Sequence, residues 1–214
     1  MKILVIKFRN IGDVLLSTPL VSNLKNIYPD SIIDFALNKG CEDMVSNNPD
    51  INNIIIYDRP RIKQLSIFSQ LKEEIKFTRN IRKRNYDMVI NLTEGDRGAQ
   101  LAFLSGAKIK LGFPVRKGLL SKIKIFDKLG NDKKRQHTVE KDLQFIDILG
   151  KKIVNKEVKI YWSNKVEQEV DKILLDNNID QFVHIHPVSR WMFKCWEDER
   201  MAKVVDYFQQ EKKL

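Results

Sequence analysis

Short runs of Ile, Val and Leu, apolar on both faces, recur along the chain and alternate with segments of helical periodicity. Strands that are apolar on both faces are typical of a parallel sheet covered by helices on each side. The alternation of strand and helix indicates right-handed crossovers, and therefore an α/β fold. The predicted strands are Lys2–Lys7, Ser31–Leu37, Asn53–Tyr57, Tyr86–Leu92, Lys108–Gly112, Glu157–Trp162 and Phe182–His186.

The segments between these strands carry helical spacing. The predicted helices are Asp13–Tyr28, Cys41–Asn47, Ile62–Arg84, Ala99–Leu104, Thr138–Leu149, Lys165–Asp176 and Glu197–Lys212. In the predicted helix Ile62–Arg84, basic residues cover one face and apolar residues keep helical spacing on the other. These apolar residues are Leu65, Phe68, Leu71, Ile75 and Ile81.

The pattern pauses near residues 151–164 and then restarts with a helix, an apolar strand, a polar loop and a helix. One strand and two helices cannot cover a sheet by themselves. We therefore expect residues 1–162 to form one complete domain, and residues 163–214 to be the incomplete start of a second α/β domain.

The composition predicts a cytoplasmic protein. The 214 residues contain no run of 18 apolar residues and no leader with a cleavage site. The cysteines, Cys41 and Cys195, are far apart, which favours free thiols. His184 and His186 point the same way on a predicted strand, but no third ligand accompanies them, so we expect no metal site. No cofactor is expected either.

The net charge of +10 is concentrated in two segments. Residues 59–84 hold nine Lys or Arg against two acids, and residues 108–135 hold ten against two. Such segments favour an anionic partner, such as nucleic acid, an acidic membrane surface or a phosphorylated substrate. A solvated basic surface that aids solubility is the alternative.

The loop after the first strand carries polar residues where ligands bind in doubly wound sheets. These residues are Lys7, Arg9, Asn10, Gly12 and Asp13. Gly12 allows a positive φ or a close backbone approach. Asp13 is either a functional carboxylate or the cap of the next helix. Thr18 as the cap, with Pro19 at the first helical position, is a more favourable helix start, which makes Asp13 less necessary as a cap.

Four motifs resemble those of glycosyltransferase family 9, the ADP-heptose:lipopolysaccharide heptosyltransferases. They are KILVIKFRNIGDVLLSTPL at 2–20, NLTEGDRGAQLAFLSGAK at 91–108, HTVEKDLQ at 137–144 and HIHPVSRWMFKCW at 184–196. The resemblance spans essentially the whole chain. It is most similar to the type that adds the branching heptose of the inner core.

The resemblance implies a GT-B fold, with a Rossmann-like acceptor domain followed by the start of a Rossmann-like nucleotide-sugar domain. It implies that Asp13 is the general base of an inverting transfer. A sugar hydroxyl is a weak nucleophile until its proton is leaving, and a carboxylate within hydrogen-bond reach can take that proton. The resemblance also implies that Ser189 and Lys194 meet the diphosphate of ADP-heptose, with Arg190 as a further cation of the same loop.

A second polar loop follows the strand Tyr86–Leu92 and is expected to face the same crevice as Asp13. The predicted acceptor-binding residues are Lys7, Arg9, Asn10, Gly12, Thr93, Glu94, Gly95 and Arg97. Glu94 or Asp96 could instead cap the following helix. The basic segments would suit a phosphorylated glycolipid in the cytoplasmic leaflet of the inner membrane of a Gram-negative bacterium.

Two other functions remain open at this point. Because much of the adenine and ribose site of the family would lie beyond Leu214, the chain could be an inactive, truncated heptosyltransferase. A nucleic-acid-binding protein is suggested by charge alone, but no helix-turn-helix, RNP or zinc-finger signal supports it. We therefore expect a transferase without a nucleic-acid partner.

Overall fold

The computed structural model describes residues 1–115, 119–132, 136–189 and 191–212. The chain divides into two compact units, Met1–Trp162 and Ser163–Leu214.

The first unit is built on a six-stranded parallel sheet. Its strands are β1 Lys2–Lys7, β2 Ile32–Asn38, β3 Asn53–Tyr57, β4 Met88–Asn91, β5 Ile109–Gly112 and β6 Lys128–Leu129. Their order across the sheet is β3-β2-β1-β4-β5-β6, so the strand order reverses between β1 and β4. Ligands of doubly wound sheets bind at such a reversal, beyond the carboxyl ends of the strands.

Both faces of this sheet are buried. In β1, Ile3 and Val5 pack into one hydrophobic cluster with Leu143 and Phe145, while Leu4 and Ile6 pack into the other. The helices of the unit are α1 Ile11–Leu15, α2 Thr18–Ile27, α3 Arg59–Lys63, α4 Ile67–Lys83, α5 Asp96–Leu104 and α6 Thr138–Ile148. Helices α2 and α6 contribute to the first cluster, and α4 and α5 to the second.

Two predicted helices are each divided in the structure. The segment Asp13–Tyr28 forms α1 and α2, because Pro19 lacks an N–H and occupies the second position of a new helix. The cap of that helix is Ser17, so the prediction of Thr18 as the cap is wrong by one residue. The segment Ile62–Arg84 forms α3 and α4, because Ser66 accepts a hydrogen bond from the Ser69 N–H at 3.4 Å and starts α4. The predicted helix Cys41–Asn47 is a single 3₁₀ turn, Glu42–Met44.

Two predicted strands are wrong, and one strand was missed. Residues 157–162 and 182–186 have no regular secondary structure, and neither segment pairs with a neighbour among the described residues. A strand needs a partner for its N–H and C=O groups, and an apolar run does not supply one by itself. Conversely, the short β6 pairs with β5 although Lys128 and Leu129 are both exposed.

The second unit contains α7 Asn164–Asp176, the 3₁₀ turn Met192–Lys194 and α8 Asp198–Glu211. Neither long helix has a buried residue. The bounds of α7 and α8 confirm the predicted helices Lys165–Asp176 and Glu197–Lys212 to within a residue at each end.

Candidate active site

The loops after β1 and β4 lie side by side at the carboxyl edge of the sheet, where the strand order reverses. Ile6 is in register with Asn91, so the two chains leave the sheet together. The Phe8 N–H donates to Thr93 Oγ1 at 2.8 Å, and the Asn91 side-chain amide binds both the N–H and the C=O of Thr93. These bonds hold the two predicted acceptor loops in one fixed arrangement.

Asp13 is the third residue of α1, and Asn10 occupies the cap position before that helix. Asp13 is therefore not the cap residue itself, but as the third helical residue it completes a capping box with Asn10, so the capping interpretation holds in part. Its Oδ2 accepts one long hydrogen bond, from the Asn10 N–H at 3.4 Å. The Asp13 side chain is half-buried, and no described residue forms an ion pair with it. Most of its acceptor capacity is thus open to a ligand at the edge of the sheet.

A buried ion pair lies beneath this helix. Lys7 Nζ is 2.8 Å from Asp142 Oδ2, and the two side chains are 4% and 1% exposed. The Ser17 hydroxyl is 2.8 Å from both Asp142 Oδ2 and the backbone oxygen of Asp13. Burial raises the pKa of the Asp142 carboxyl, and the charge of Lys7 opposes that shift. Lys7 therefore anchors the backbone around Asp13, and its ammonium group is turned into the protein.

A second network, more exposed to solvent, joins the two loops to α6. Arg9 pairs with Glu94 Oε2 at 3.3 Å, and both side chains are partly exposed. Lys141 binds the other oxygen of Glu94 and also Asp132, and it lies 4.8 Å from the centre of the Phe113 ring. Although burial lowers the pKa of Lys141, its bonds to Asp132 and Glu94 raise it above the ordinary value. Glu94 is thus fixed between two cations.

Two glycines shape these loops differently. Gly95 has a φ of +113° and precedes α5, a conformation that a side chain would strain. Gly12 lies within α1 and is not among the glycines of positive φ, so of its two possible roles only the close backbone approach is left. A Cβ at Gly12 would meet nothing within 4 Å, which leaves open space beside Asp13 for a close approach.

Arg97 points to a different place, a cavity of about 360 Å³ between α4 and α5. Its guanidinium lies 4.3 Å from the centre of the Tyr57 ring and 3.2 Å from Glu74 Oε1. The Tyr57 hydroxyl also donates to Glu74. Burial lowers the pKa of Arg97 and raises the pKa of Glu74. The structure therefore does not place Arg97 in the network of Arg9 and Glu94.

In the second unit, Ser189 and Lys194 lie in one compact loop. The Ser189 N–H donates to Cys195 Sγ at 3.1 Å, and the Trp191 N–H donates to Ser189 Oγ at 3.4 Å. Lys194 ends the 3₁₀ turn and is exposed. Arg190, the third predicted phosphate ligand, lies outside the described residues, as do residues 116–118 and 133–135 of the second basic segment.

Sequence reasoning missed Ser17, Asp142, Asp132 and Lys141. Lys7 and Asp142 are 135 positions apart, so no local spacing could reveal their pairing. Within the described residues no group of three or more His, Cys, Asp or Glu could hold a metal ion. None of the helices in the described part of the chain is both long and apolar enough to cross a membrane.

Comparisons with known proteins agree with this architecture. The model of glycosyltransferase family 9 (heptosyltransferase) matches residues 75–213. The chain is 31% identical over 205 residues to lipopolysaccharide heptosyltransferase 3 of Escherichia coli K12, covering 93% of this chain and 57% of that protein. It therefore spans little more than half of that relative's length.

Solved structures show the same fold. A glycosyl transferase family 9 protein of Veillonella parvula aligns with a TM-score of 0.82 at 24% identity, over 99% of this chain and 60% of the other. E. coli heptosyltransferase WaaC with ADP-2-deoxy-2-fluoro heptose aligns with a TM-score of 0.69 at 18% identity, over 99% of this chain and 66% of the other. The expected α/β fold of GT-B type is confirmed. Because the family model covers well over half of its residues, this chain belongs to glycosyltransferase family 9, the heptosyltransferase family.

Proposed function

We propose that this chain carries the acceptor site and the catalytic base of an inverting transferase that moves heptose from ADP-heptose to a heptose of the lipopolysaccharide inner core. The observation that carries this proposal is the half-buried carboxylate of Asp13, which has no ion-pair partner among the described residues. The names of the relatives support the classes of donor and acceptor.

In this proposal Asp13 accepts the proton of the acceptor hydroxyl while that oxygen attacks the anomeric carbon of the donor. The bond from this carbon to the phosphate oxygen breaks, and its electron pair leaves with ADP. Ser189, Arg190 and Lys194 offset the charge that develops on the diphosphate. A single displacement of this kind inverts the anomeric configuration.

The predicted residues of the two loops orient the acceptor, apart from Lys7 and Arg97, whose side chains lie elsewhere. Arg9 and Asn10 precede Asp13, and Thr93, Glu94 and Gly95 face them across the two hydrogen-bonded loops. Arg9 and Glu94 offer a cation and a carboxylate for the phosphates and hydroxyls of a core oligosaccharide. Gly12 leaves room for the sugar next to the base.

The acceptor is part of a glycolipid, so we also propose that the protein works at the cytoplasmic face of the inner membrane, attached peripherally. The nine cations of residues 59–84 would favour an anionic leaflet. Sedimentation with vesicles tests this attachment, which fails if anionic vesicles retain the chain no better than neutral ones.

The experiment that tests the catalytic role uses protein purified from its native host, with the intact mass measured first. Asp13→Asn keeps the shape of the side chain and removes its basicity. We expect kcat for transfer from ADP-heptose to fall by at least about 10²-fold, the lower range for loss of a general base. Calorimetry with a phosphorylated core oligosaccharide is expected to show acceptor binding within a few-fold of the unmodified protein.

Arg9→Gln serves as the matched comparison, because it removes a cation from the neighbouring position of the loop. Its main effect is expected on the KM for the acceptor. A near-normal kcat for Asp13→Asn would remove Asp13 from the role of base, and a product with retained anomeric configuration would contradict single displacement.

A further inference from the structure

Helix α4 exposes a band of large apolar side chains that the rest of the first unit does not cover. Ile67 is 83% exposed, Phe68 87%, Leu71 59% and Ile75 48%. Their spacing places them within about a third of the helix circumference. Phe68, Leu71 and Ile75 belong to the apolar face that helical spacing indicates, but Ile81 is the only fully buried residue of α4.

A row of cations runs directly beside this apolar band. It consists of Lys72, Lys76, Arg79 and Lys83, all exposed. Phe68, Leu71 and Ile75 line one continuous surface concavity together with these cations. Among the described residues no ion pair involves any of the four, whereas Arg61, Arg84 and Arg97 nearby are each paired with a carboxylate. The positive charge of this row is therefore available to a partner.

We propose that this band of α4, with its row of cations, docks the protein on an anionic lipid surface. An exposed apolar band bordered by lysine and arginine is the pattern of helices that lie in the membrane interface. The apolar side chains would enter the boundary between headgroups and acyl chains, while the cations contact the phosphates. Charge complementarity is what favours a lipid surface over an uncharged apolar partner.

The geometry also orients the first unit on the membrane. The buried face of α4 packs through Ile81 and Phe77 on the second hydrophobic cluster, so the docking face points away from the sheet. The cavity beside Arg97 shares Leu71, Ile75 and Arg79 with this face. This inference rests on the peripheral attachment proposed above, and assigns it to one element.

The test is sedimentation of the 214-residue chain with equimolar phosphatidylglycerol–phosphatidylcholine vesicles and with pure phosphatidylcholine vesicles. Each cation near an anionic surface contributes about a fivefold factor to binding. Lys72, Lys76 and Lys83 replaced together by Gln are expected to weaken binding about a hundredfold. Phe68→Ser with Leu71→Ser is expected to weaken it at least about tenfold.

Matched control variants lie in the segment 151–162, part of which packs on the first cluster, on the opposite face of the sheet. They replace Lys151, Lys152 and Lys156 by Gln, or the exposed Val154 and Ile160 by Ser. We expect them to bind as the unmodified chain does. All altered side chains are exposed, and coincident thermal unfolding curves check that each variant is folded.

One further variant tests insertion into the lipid directly, by tryptophan fluorescence. Phe68→Trp is expected to show a blue-shifted difference spectrum with anionic vesicles and quenching by brominated lipids. If the chain binds anionic vesicles but the α4 variants bind equally well, α4 is not the docking element and the attachment itself stands. If the unmodified chain binds no anionic vesicle, both proposals fail, while the catalytic role of Asp13 is still decided by its own assay.

Discussion

Single residues at the carboxyl edge of the sheet divide into those that face solvent and those that support them. The sequence groups Lys7 with Arg9 as acceptor ligands because both lie where the first strand runs into its loop. In the structure Lys7 binds the buried Asp142, whereas Arg9 binds the partly exposed Glu94. Lys7 is the last residue of β1 and Arg9 lies beyond it in the loop, so strand alternation does not relate the directions of their side chains. Only the position of Asp142 on α6 shows that Lys7 is the buried one.

The pair of Lys7 and Asp142 makes a clear prediction for stability. Asp142→Asn leaves a buried ammonium without its counter-charge, and we expect the free energy of unfolding to fall by about 3–5 kcal/mol. Urea unfolding followed by circular dichroism measures this loss.

The control for that prediction is the double variant Lys7→Met, Asp142→Leu. Replacing both partners of a buried ion pair by apolar residues of similar size is often neutral, so most of the lost stability should return. A loss below about 1 kcal/mol for Asp142→Asn alone would show that the pair does not stabilise the fold.

Elements meet at the site through close backbone packing. In α5, Gly98 lies against the side chain of Asn91, and a Cβ there would come within 2.2 Å of Asn91 Oδ1. Asn91 is fully buried and holds the backbone of Thr93 on both sides. The approach of α5 to β4 therefore sets the position of the second polar loop.

Gly98→Ala is expected to lower the free energy of unfolding by about 1–3 kcal/mol, because Asn91 must move in a packed core. It should also weaken binding of the core oligosaccharide, since Thr93 loses its support. Chemical unfolding and calorimetry measure the two effects.

Gly12→Ala is the matched comparison. It adds the same methyl group inside a helix with open space around it, and we expect unchanged or slightly higher stability, by up to about 1 kcal/mol. If the acceptor approaches the backbone here, its binding weakens in this variant too. Equal destabilisation by both substitutions would contradict the packing argument.

At the scale of the whole molecule, the two units differ in how much they bury. The first unit has a hydrophobic cluster on each face of its sheet. The second unit has 52 residues, and its helices α7 and α8 contain no buried residue. A small segment whose helices bury no residue lacks the hydrophobic core that independent stability requires.

We therefore expect a fragment of residues 1–162 to fold without the second unit. Its thermal unfolding should be cooperative, with a midpoint within a few degrees of that of the 214-residue chain. A fragment of residues 163–214 should show no cooperative transition. A 1–162 fragment that fails to fold would mean that the second unit contributes to the core of the first.

Local pattern alone determined much of this protein. Apolar runs and helical spacing predicted the first five strands, most of the helices and the α/β class. A strand that is buried on both faces has apolar residues at successive positions, so the sequence reveals it directly. The polar loops around Asp13 and Thr93 followed from the same pattern, since the carboxyl ends of parallel strands share one edge.

Only the tertiary structure decided which apolar and polar side chains are buried. The runs at 157–162 and 182–186 lack a strand partner within the described residues, and the apolar band of α4 lacks a covering element there. Lys7 and Ser17 meet Asp142 across more than 120 positions. Pairing, burial and charge neutralisation depend on groups distant in the chain, so the physics of these contacts appears only when the sheet and its helices are assembled.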